Sequence, residues 1–171
     1  MDLRKRLSKS GAVGELTRIA DDLRVDKALF KELIEVYIAG PHGLTHRAAH
    51  VINFIAARDP HLLRPHLRRI IKQLDVLEVH DAYRRNTIRM LQWIDIPEYL
   101  QGRILDLCFK YLLDKKEAIA IRVFSMSVIN RIAQGEDSLT RELKLVVEDQ
   151  LPYAGPAFRS RAKKVLNQMQ R

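Results

Sequence analysis

The chain of 171 residues contains a single cysteine, Cys108, and therefore cannot form an intramolecular disulfide. Cys108 lies in the apolar run ILDLCFKYLL, where a small buried hydrophobic residue is its ordinary role. Proteins without a disulfide framework are typical of reducing compartments. We therefore expect a cytoplasmic protein.

Long apolar runs are also missing, since no segment approaches the roughly 18 apolar residues that a membrane-spanning helix needs. The N-terminal stretch MDLRKRLSKSGAVGEL is charged and lacks the apolar core of a secretory signal. The sequence predicts no membrane partner.

Catalytic motifs are absent as well: the sequence has no P-loop, no GxSxG, no CxxC and no glycine-rich turn after a strand. The serines have no recognisable base beside them. His42, His46 and His50 stand four positions apart, but Arg47 takes the place of the glutamate that a catalytic HExxH helix needs. We predict a protein that is not an enzyme and has no cofactor and no metal site.

What the sequence does have is helical periodicity. Apolar residues recur at three and four positions, as in Leu29, Leu33, Val36 and Tyr37, and strand alternation is nowhere sustained. Helices are therefore predicted at about 14–24, 26–39, 44–58, 61–78, 80–95, 97–114, 116–134, 138–151 and 156–169, between breaks at glycine and proline. The predicted fold class is all-α.

Several residues support the predicted helix ends. Asp26 and Gly135 fit a start and a stop, because a short acceptor can cap free amides and glycine takes the left-handed conformation that ends a helix. Further start signals are Thr45, Asp81, Pro97, Ser138 and Pro156.

The sequence also repeats itself. Four arginines recur at separations of 38, 37 and 39 positions, each early in a predicted helix: Arg47, Arg85, Arg122 and Arg161. Three leucines at the ends of the preceding helices are 38 and 39 positions apart: Leu74, Leu112 and Leu151. A fixed period of this length indicates stacked supersecondary units. We call the first helix of each unit the A helix and the second, arginine-bearing one the B helix.

This pattern resembles the HEAT repeat family and its armadillo relatives, whose units are helix pairs with a basic residue early in the second helix. The resemblance covers about residues 26–169, with repeats at about 26–58, 61–95, 97–134 and 138–169. It implies a single domain over residues 1–171, folded as an α-solenoid, a right-handed superhelix of about four helical hairpins behind an N-terminal helix at about 14–24. The alanine-rich spine of such B helices is clear only in RAAHV.

The repeated arginines are expected to be structural. In a stacked array, each guanidinium can pair with a carboxylate or carbonyl of the preceding turn or the adjacent unit. Asp81, Asp114 and Glu117 lie near enough in sequence to be partners.

A curved repeat surface serves mainly as a platform for proteins or peptides, and we predict a non-catalytic scaffold of that kind. The B helices are expected to face the partner through eight polar side chains: His50, Asn53, Arg89, Gln92, Asn130, Arg131, Lys164 and Gln168. The sequence does not set an oligomeric state.

The alternative is a nucleic-acid-binding protein, because the net charge is +9 and basic residues concentrate on two neighbouring helices. This predicted basic patch consists of Arg64, Arg68, Arg69, Lys72, Arg84 and Arg89, and Asp75, Glu78 and Asp81 could neutralise it. With one Trp, five Tyr and five Phe, a stacking platform for single strands is not expected. A HEAT-like DNA glycosylase, suggested by Trp93 and Asp95, is a distant third hypothesis, and Trp93 is expected in the core.

Overall fold

The computed structural model describes residues 2–9, 13–76 and 79–170. Within these ranges it contains ten α-helices, three short 3-10 turns and no strand, which confirms the all-α class. The helices are α1 (Leu3–Lys9), α2 (Val13–Leu23), α3 (Lys27–Ala39), α4 (His42–Arg58), α5 (Leu67–Gln73), α6 (Asp81–Leu91), α7 (Glu98–Leu113), α8 (Ile119–Ile132), α9 (Asp137–Gln150) and α10 (Pro156–Met169).

The chain divides into two compact units, Met1–Asp95 and Ile96–Arg171. The boundary falls where the sequence predicts the change from the second repeat to the third. The first unit contains α1, α2 and the pairs α3–α4 and α5–α6, and the second contains α7–α8 and α9–α10. The B helices are thus α4, α6, α8 and α10.

In the first unit, α4 is the central helix and packs against α1, α2, α3 and α6. Its apolar positions Val51, Ile52 and Ile55 are fully buried, as expected for a helix with neighbours on several sides. Tyr37 of α3 is also fully buried and stacks on Tyr83 of α6, with ring centroids 4.5 Å apart.

One helix that the sequence predicts in this unit is not continuous in the structure. The predicted helix at about 61–78 consists of 3-10 turns at Pro60–Leu62 and Arg64–His66, followed by the short helix α5. Pro65 has no amide hydrogen to donate, and its ring would clash with a carbonyl one turn earlier, so a regular α-helix cannot run through it. The predicted C-terminal end, Leu77 and Glu78, lies outside the described residues.

A further helix, α1, was not predicted. Its two leucines, Leu3 and Leu7, are spaced by four positions and are fully buried against neighbours that include α3 and α4. The remaining residues of α1 are charged or polar, and the segment therefore carried too little apolar pattern to be recognised.

In the second unit, α7 and α8 form a closely packed pair, and α8 packs in turn against α10. The core contains Ile104, Leu112 and Ile129, all fully buried. Cys108 is buried among them, as predicted, and burial raises the pKa of its thiol to about 12. A thiol in that state is not a nucleophile at neutral pH.

The helix ends follow the predicted signals in part. Asp26 caps α3 by accepting hydrogen bonds from the amides of Ala28 and Leu29, both 3.0 Å long, and Gly135 has a φ of 88° just after α8. Pro156 is the first residue of α10, whereas Pro97 precedes α7 by one position.

Three other start signals lie close to helix starts but do not cap them. Thr45 lies inside α4, because that helix starts earlier, at His42. Its hydroxyl donates to the carbonyl of Gly40 at 2.9 Å. Asp81 is preceded by the capping residue His80, and Ser138 by Asp137, the first residue of α9.

Three of the four repeated arginines bind carbonyl or neutral side-chain oxygens of neighbouring helices. Arg47 donates to the carbonyl of Ser8 at the end of α1, 3.1 Å away. Arg122 donates to the carbonyl of Leu112 at 3.4 Å and to Gln150 Oε1, and Arg161 donates to Ser127 Oγ.

The three carboxylates that the sequence offered as partners for the repeated arginines have other contacts. Asp81 pairs with Arg84, Asp114 accepts from the amide of Lys116, and Glu117 accepts from the amide of Ala118.

Candidate partner-binding site

The B helices contain almost no acidic residues. There are two Lys or Arg residues in α4, three in α6, two in α8 and four in α10, against the single carboxylate of Asp81. That carboxylate pairs with Arg84 on its own helix. The A helices of the second unit differ sharply, since they carry Glu98, Asp106, Asp137, Glu142, Glu148 and Asp149. Net positive charge therefore lies on the B helix alone in the first, third and fourth repeats, whereas in the second repeat the A helix α5 also carries Arg68, Arg69 and Lys72 and no acidic residue.

Most cations on the B helices have partners inside their own unit. The exceptions among the described residues are Lys163 and Lys164 on α10 and two neighbours on α6. Arg85 and Arg89 are exposed, lie one helical turn apart and have no carboxylate partner among the described residues. Like charges at this spacing destabilise a helix by about 0.2–0.5 kcal/mol. Arg85 thus departs from the structural role predicted for it, because it projects into solvent.

His50 lies on α4 beside these arginines. It is half-buried, and its ring meets that of His46, with Nε2 atoms 3.4 Å apart. Burial lowers the pKa of His50, and the nearby charges of His46, Arg89 and Arg85 lower it further. His50 is therefore harder to protonate than an exposed histidine. We call Arg85, Arg89, His46 and His50 the cationic cluster, after its two arginines.

A cavity of about 320 Å³ adjoins this cluster in the first unit, and His46 belongs to both. Its floor is buried and consists of Tyr37, Ala49, Tyr83 and Asn86. Its more exposed rim includes Ile38, His42, Thr45, His46, Val76, Val79, His80 and Ala82. The volume lies at the lower end of the roughly 300–1,000 Å³ common for ligand pockets.

Two histidines form one edge of that rim. His80 Nδ1 accepts the amide hydrogen of Ala82 at 3.1 Å and so caps α6, which leaves the proton of neutral His80 on Nε2. That Nε2 is 2.8 Å from Nε2 of His42, the first residue of α4, and donates to it. The pair therefore holds the beginnings of α4 and α6 side by side.

The predicted partner-facing residues of the first unit differ in their exposure and contacts. His50 and Arg89 come together in the cationic cluster, and Gln92 is half-buried at the end of α6, donating to the carbonyl of Arg89 at 3.0 Å. Asn53 is only 8% exposed and donates to the carbonyl of Ala49 at 2.8 Å, so it belongs to the α4–α6 interior. This placement removes Asn53 from the partner-facing set.

In the second unit, Asn130 is only 9% exposed and donates to Gln168 Oε1 at 3.0 Å. This bond ties α8 to α10, and we remove Asn130 from the set for the same reason. Gln168, Arg131 and Lys164 are exposed.

The predicted basic patch is partly neutralised. Arg69 forms a two-pronged pair with Glu35, at 2.6 and 2.9 Å, Arg64 lies 3.7 Å from Asp95, and Arg84 pairs with Asp81. Arg68 and Lys72 lie on the A helix α5, whereas Arg89 lies on α6. Glu78, one of the carboxylates expected to neutralise the patch, is outside the described residues.

Trp93 is 45% exposed in the turn after α6, so the expectation that it is a core residue is wrong. Asp95 is 82% exposed in its side chain and is paired with Arg64. Neither residue lines the cavity.

Candidate metal sites and membrane-spanning helices are both absent from the part of the chain that the structure describes. No group of three or more His, Cys, Asp or Glu side chains there could hold a metal ion. No described helix is both long enough and apolar enough to cross a membrane.

Sequence reasoning missed the cavity and half of the cationic cluster. Tyr37 and Tyr83 are ordinary core aromatics by pattern, and only tertiary packing brings them beneath the histidines. The sequence did contain a signal that Arg85 is exposed. Arg85 and Arg89 are four positions apart on one face of α6, and no acidic residue comes after them in that helix.

Paired helices that stack through their second members define a helical-repeat protein. A family model described as HEAT repeat domain matches residues 3–169, almost the whole chain, and the protein therefore belongs to the HEAT repeat family. The fold that this family implies is a helical solenoid, and its members commonly serve as protein-interaction scaffolds. Neither a curated protein nor a solved structure gave a significant match to this chain.

Proposed function

We propose that the protein is a non-catalytic scaffold in the cytoplasm that binds a protein or peptide partner on the surface of its B helices. The observation that carries the proposal is the pair Arg85 and Arg89, two exposed neighbouring cations without a carboxylate partner in the described residues, beside a cavity. Unpaired like charges cost a helix stability, and a partner that neutralises them offsets that cost. The free, buried thiol of Cys108 supports a reducing compartment.

The same first unit supplies a matched control for this proposal. Arg68 and Lys72 are also exposed and one turn apart, but they lie on the A helix α5. The double variants Arg85→Glu/Arg89→Glu and Arg68→Glu/Lys72→Glu change the net charge by the same amount on opposite members of one repeat.

The experiment selects peptides from a displayed library on the wild-type protein and measures their affinity for both variants. We expect selected peptides to lose binding to Arg85→Glu/Arg89→Glu and to keep it with Arg68→Glu/Lys72→Glu. Peptides that bind both variants as tightly as the wild type would refute a B-helix site.

The second candidate function is binding to the backbone of duplex nucleic acid, favoured by the net charge of +9. It would use the cations of the predicted patch that have no internal carboxylate partner in the described residues, namely Arg68, Lys72 and Arg89. Anisotropy of a labelled 20-base-pair duplex at about 50 and 200 mM salt tests it, because phosphate contacts weaken steeply with salt. Binding abolished by Arg68→Glu/Lys72→Glu would favour this function.

A further inference from the structure

We propose that the partner segment is an acidic peptide with one bulky apolar side chain, which enters the cavity while neighbouring carboxylates bind Arg85 and Arg89. This inference rests on the proposed function and specifies the chemistry of its partner.

The acidic residues of the proposed peptide follow from charge complementarity with Arg85 and Arg89. Each guanidinium presents parallel N–H donors that match a carboxylate, and an arginine without an internal partner has those donors free. The nearest acid on α6, Asp81, is already paired with Arg84, and α4 has no acidic residue at all. The two B helices of the unit therefore offer Arg85 and Arg89 no unpaired carboxylate.

The apolar side chain of the proposed peptide is inferred from the lining of the cavity. Its floor presents the stacked aromatic rings of Tyr37 and Tyr83 and the methyl group of Ala49, and its rim includes the aliphatic side chains of Ile38 and Val76. Tyr37 already bonds its hydroxyl to Thr87 Oγ1 at 2.7 Å, so its polar atom requires nothing from a ligand. A hollow of this lining suits an apolar anchor, the kind of residue that dominates interface energies.

The two subsites are close enough for one short segment. Asn86 on the cavity floor directly follows Arg85 on α6, and His46 on the rim touches His50. Arg89 lies four residues, about 6 Å, beyond Arg85 along the same helix. An extended peptide covers about 3.3 Å per residue, so a carboxylate two to four residues from the apolar side chain reaches the arginines.

A polypeptide fits this arrangement better than a nucleic acid does. A phosphate backbone offers nothing apolar to fill a cavity of about 320 Å³. Nucleic-acid affinity comes from neutralising many phosphates in a row, whereas three of the six cations in the predicted basic patch are paired internally.

The test uses a fluorescein-labelled peptide, DEDEEFDEEDED, and a second peptide in which Ala replaces the central Phe. Their anisotropy is measured with the full-length wild type, with Arg85→Glu/Arg89→Glu and with Arg68→Glu/Lys72→Glu. We expect the Phe peptide to bind the wild type about tenfold or more tighter than the Ala peptide, the ratio that burial of one aromatic side chain provides. We expect binding to drop at least tenfold only in Arg85→Glu/Arg89→Glu.

The variant Ala82→Phe fills the cavity from its half-buried rim and should bind both peptides with the weaker affinity of the Ala peptide. The comparison of the two peptides on wild-type protein decides the question even if this variant does not fold.

Three results would overturn the inference: equal affinity of the Phe and Ala peptides, equal losses in both charge variants, or a 20-base-pair DNA duplex that displaces the peptide at matched concentration of negative charge. The proposed function can survive such a failure, because library-selected peptides that need Arg85 and Arg89 but are not acidic would still support a B-helix site. If selected peptides ignore the B helices as well, both fail.

Discussion

At the scale of single residues, the first unit depends on polar groups that are satisfied in the interior. Tyr37 is fully buried, and its hydroxyl bonds to Thr87 Oγ1 at 2.7 Å and lies 3.4 Å from the carbonyl of Tyr83. Burial raises the pKa of Tyr37 well above its ordinary value, so the hydroxyl keeps its proton at neutral pH. These contacts join α3 to α6 beneath the cavity.

Tyr37→Phe should therefore lower the free energy of unfolding. The change removes the buried hydrogen bond between Tyr37 and Thr87, a loss of about 0.5–1.5 kcal/mol. Urea denaturation followed by circular dichroism measures it. Tyr153→Phe, at a tyrosine that is 87% exposed, is the control and should have no effect. Equal stability of Tyr37→Phe and wild type would contradict the assigned hydrogen bond.

His50 should make the protein less stable as pH falls. Burial lowers the pKa of folded His50 below 6.5, the value that an unfolded histidine retains. Between the folded and unfolded pKa values the unfolded chain binds more protons, so the stability present above about pH 6.5 is lost on acidification. His66 adds to the same trend, because burial, followed by the charge of Arg69, lowers its pKa as well.

The measurement is the urea midpoint at pH 7.5 and 5.5. The decrease should be smaller in His50→Gln than in the wild type, while His61→Gln, at an exposed position, should leave it unchanged. A decrease of the same size in His50→Gln would show that His50 does not contribute.

At the scale of elements, apolar spacing predicted most helices correctly. The prediction failed where a proline interrupts the helix. The prediction of α3, α4 and α7–α10 was correct within a few residues, because each has a clear apolar face and a stop signal. The region 61–78 was predicted as one helix, because its apolar residues keep helical spacing through Pro65. Proline chemistry should have taken precedence over periodicity there.

The short helix α1 should contribute more stability than its polar sequence indicates. Leu7→Ala removes a fully buried side chain from its contacts with the first unit, and such truncations cost about 2–5 kcal/mol. Leu145→Ala, at a leucine that is 68% exposed, should change the stability by less than about 0.5 kcal/mol. Thermal unfolding of both variants tests this, and a Leu7→Ala midpoint equal to that of Leu145→Ala would show that α1 is dispensable.

At the scale of the whole molecule, the repeat could be predicted from the sequence and the site could not. Arginines and leucines at a near-constant period indicated helix pairs, and the family match over residues 3–169 confirms the HEAT repeat family. The direction in which each side chain points depends on packing between helices. Asn53 and Arg85 both lie on B helices, yet Asn53 is buried and Arg85 is exposed.

The scarcity of acidic residues on the B helices is the property of the described chain that most directly implies a partner. The count of one acid depends on the helix bounds of the structure, because the predicted B helices at about 80–95 and 116–134 also include Asp95 and Glu117. The cavity was not readable, because it forms between residues as distant along the chain as Tyr37 and Asn86.

The most direct test of the account is to record amide chemical shifts of the full-length protein while a library-selected peptide is titrated into it. We predict that shifts concentrate on the B helices α4 and α6, including the amides of His46, His50, Arg85 and Arg89. Shifts confined to the A helices α3 and α5, with α4 and α6 unchanged, would contradict the claim that the B helices of the first unit bind the partner.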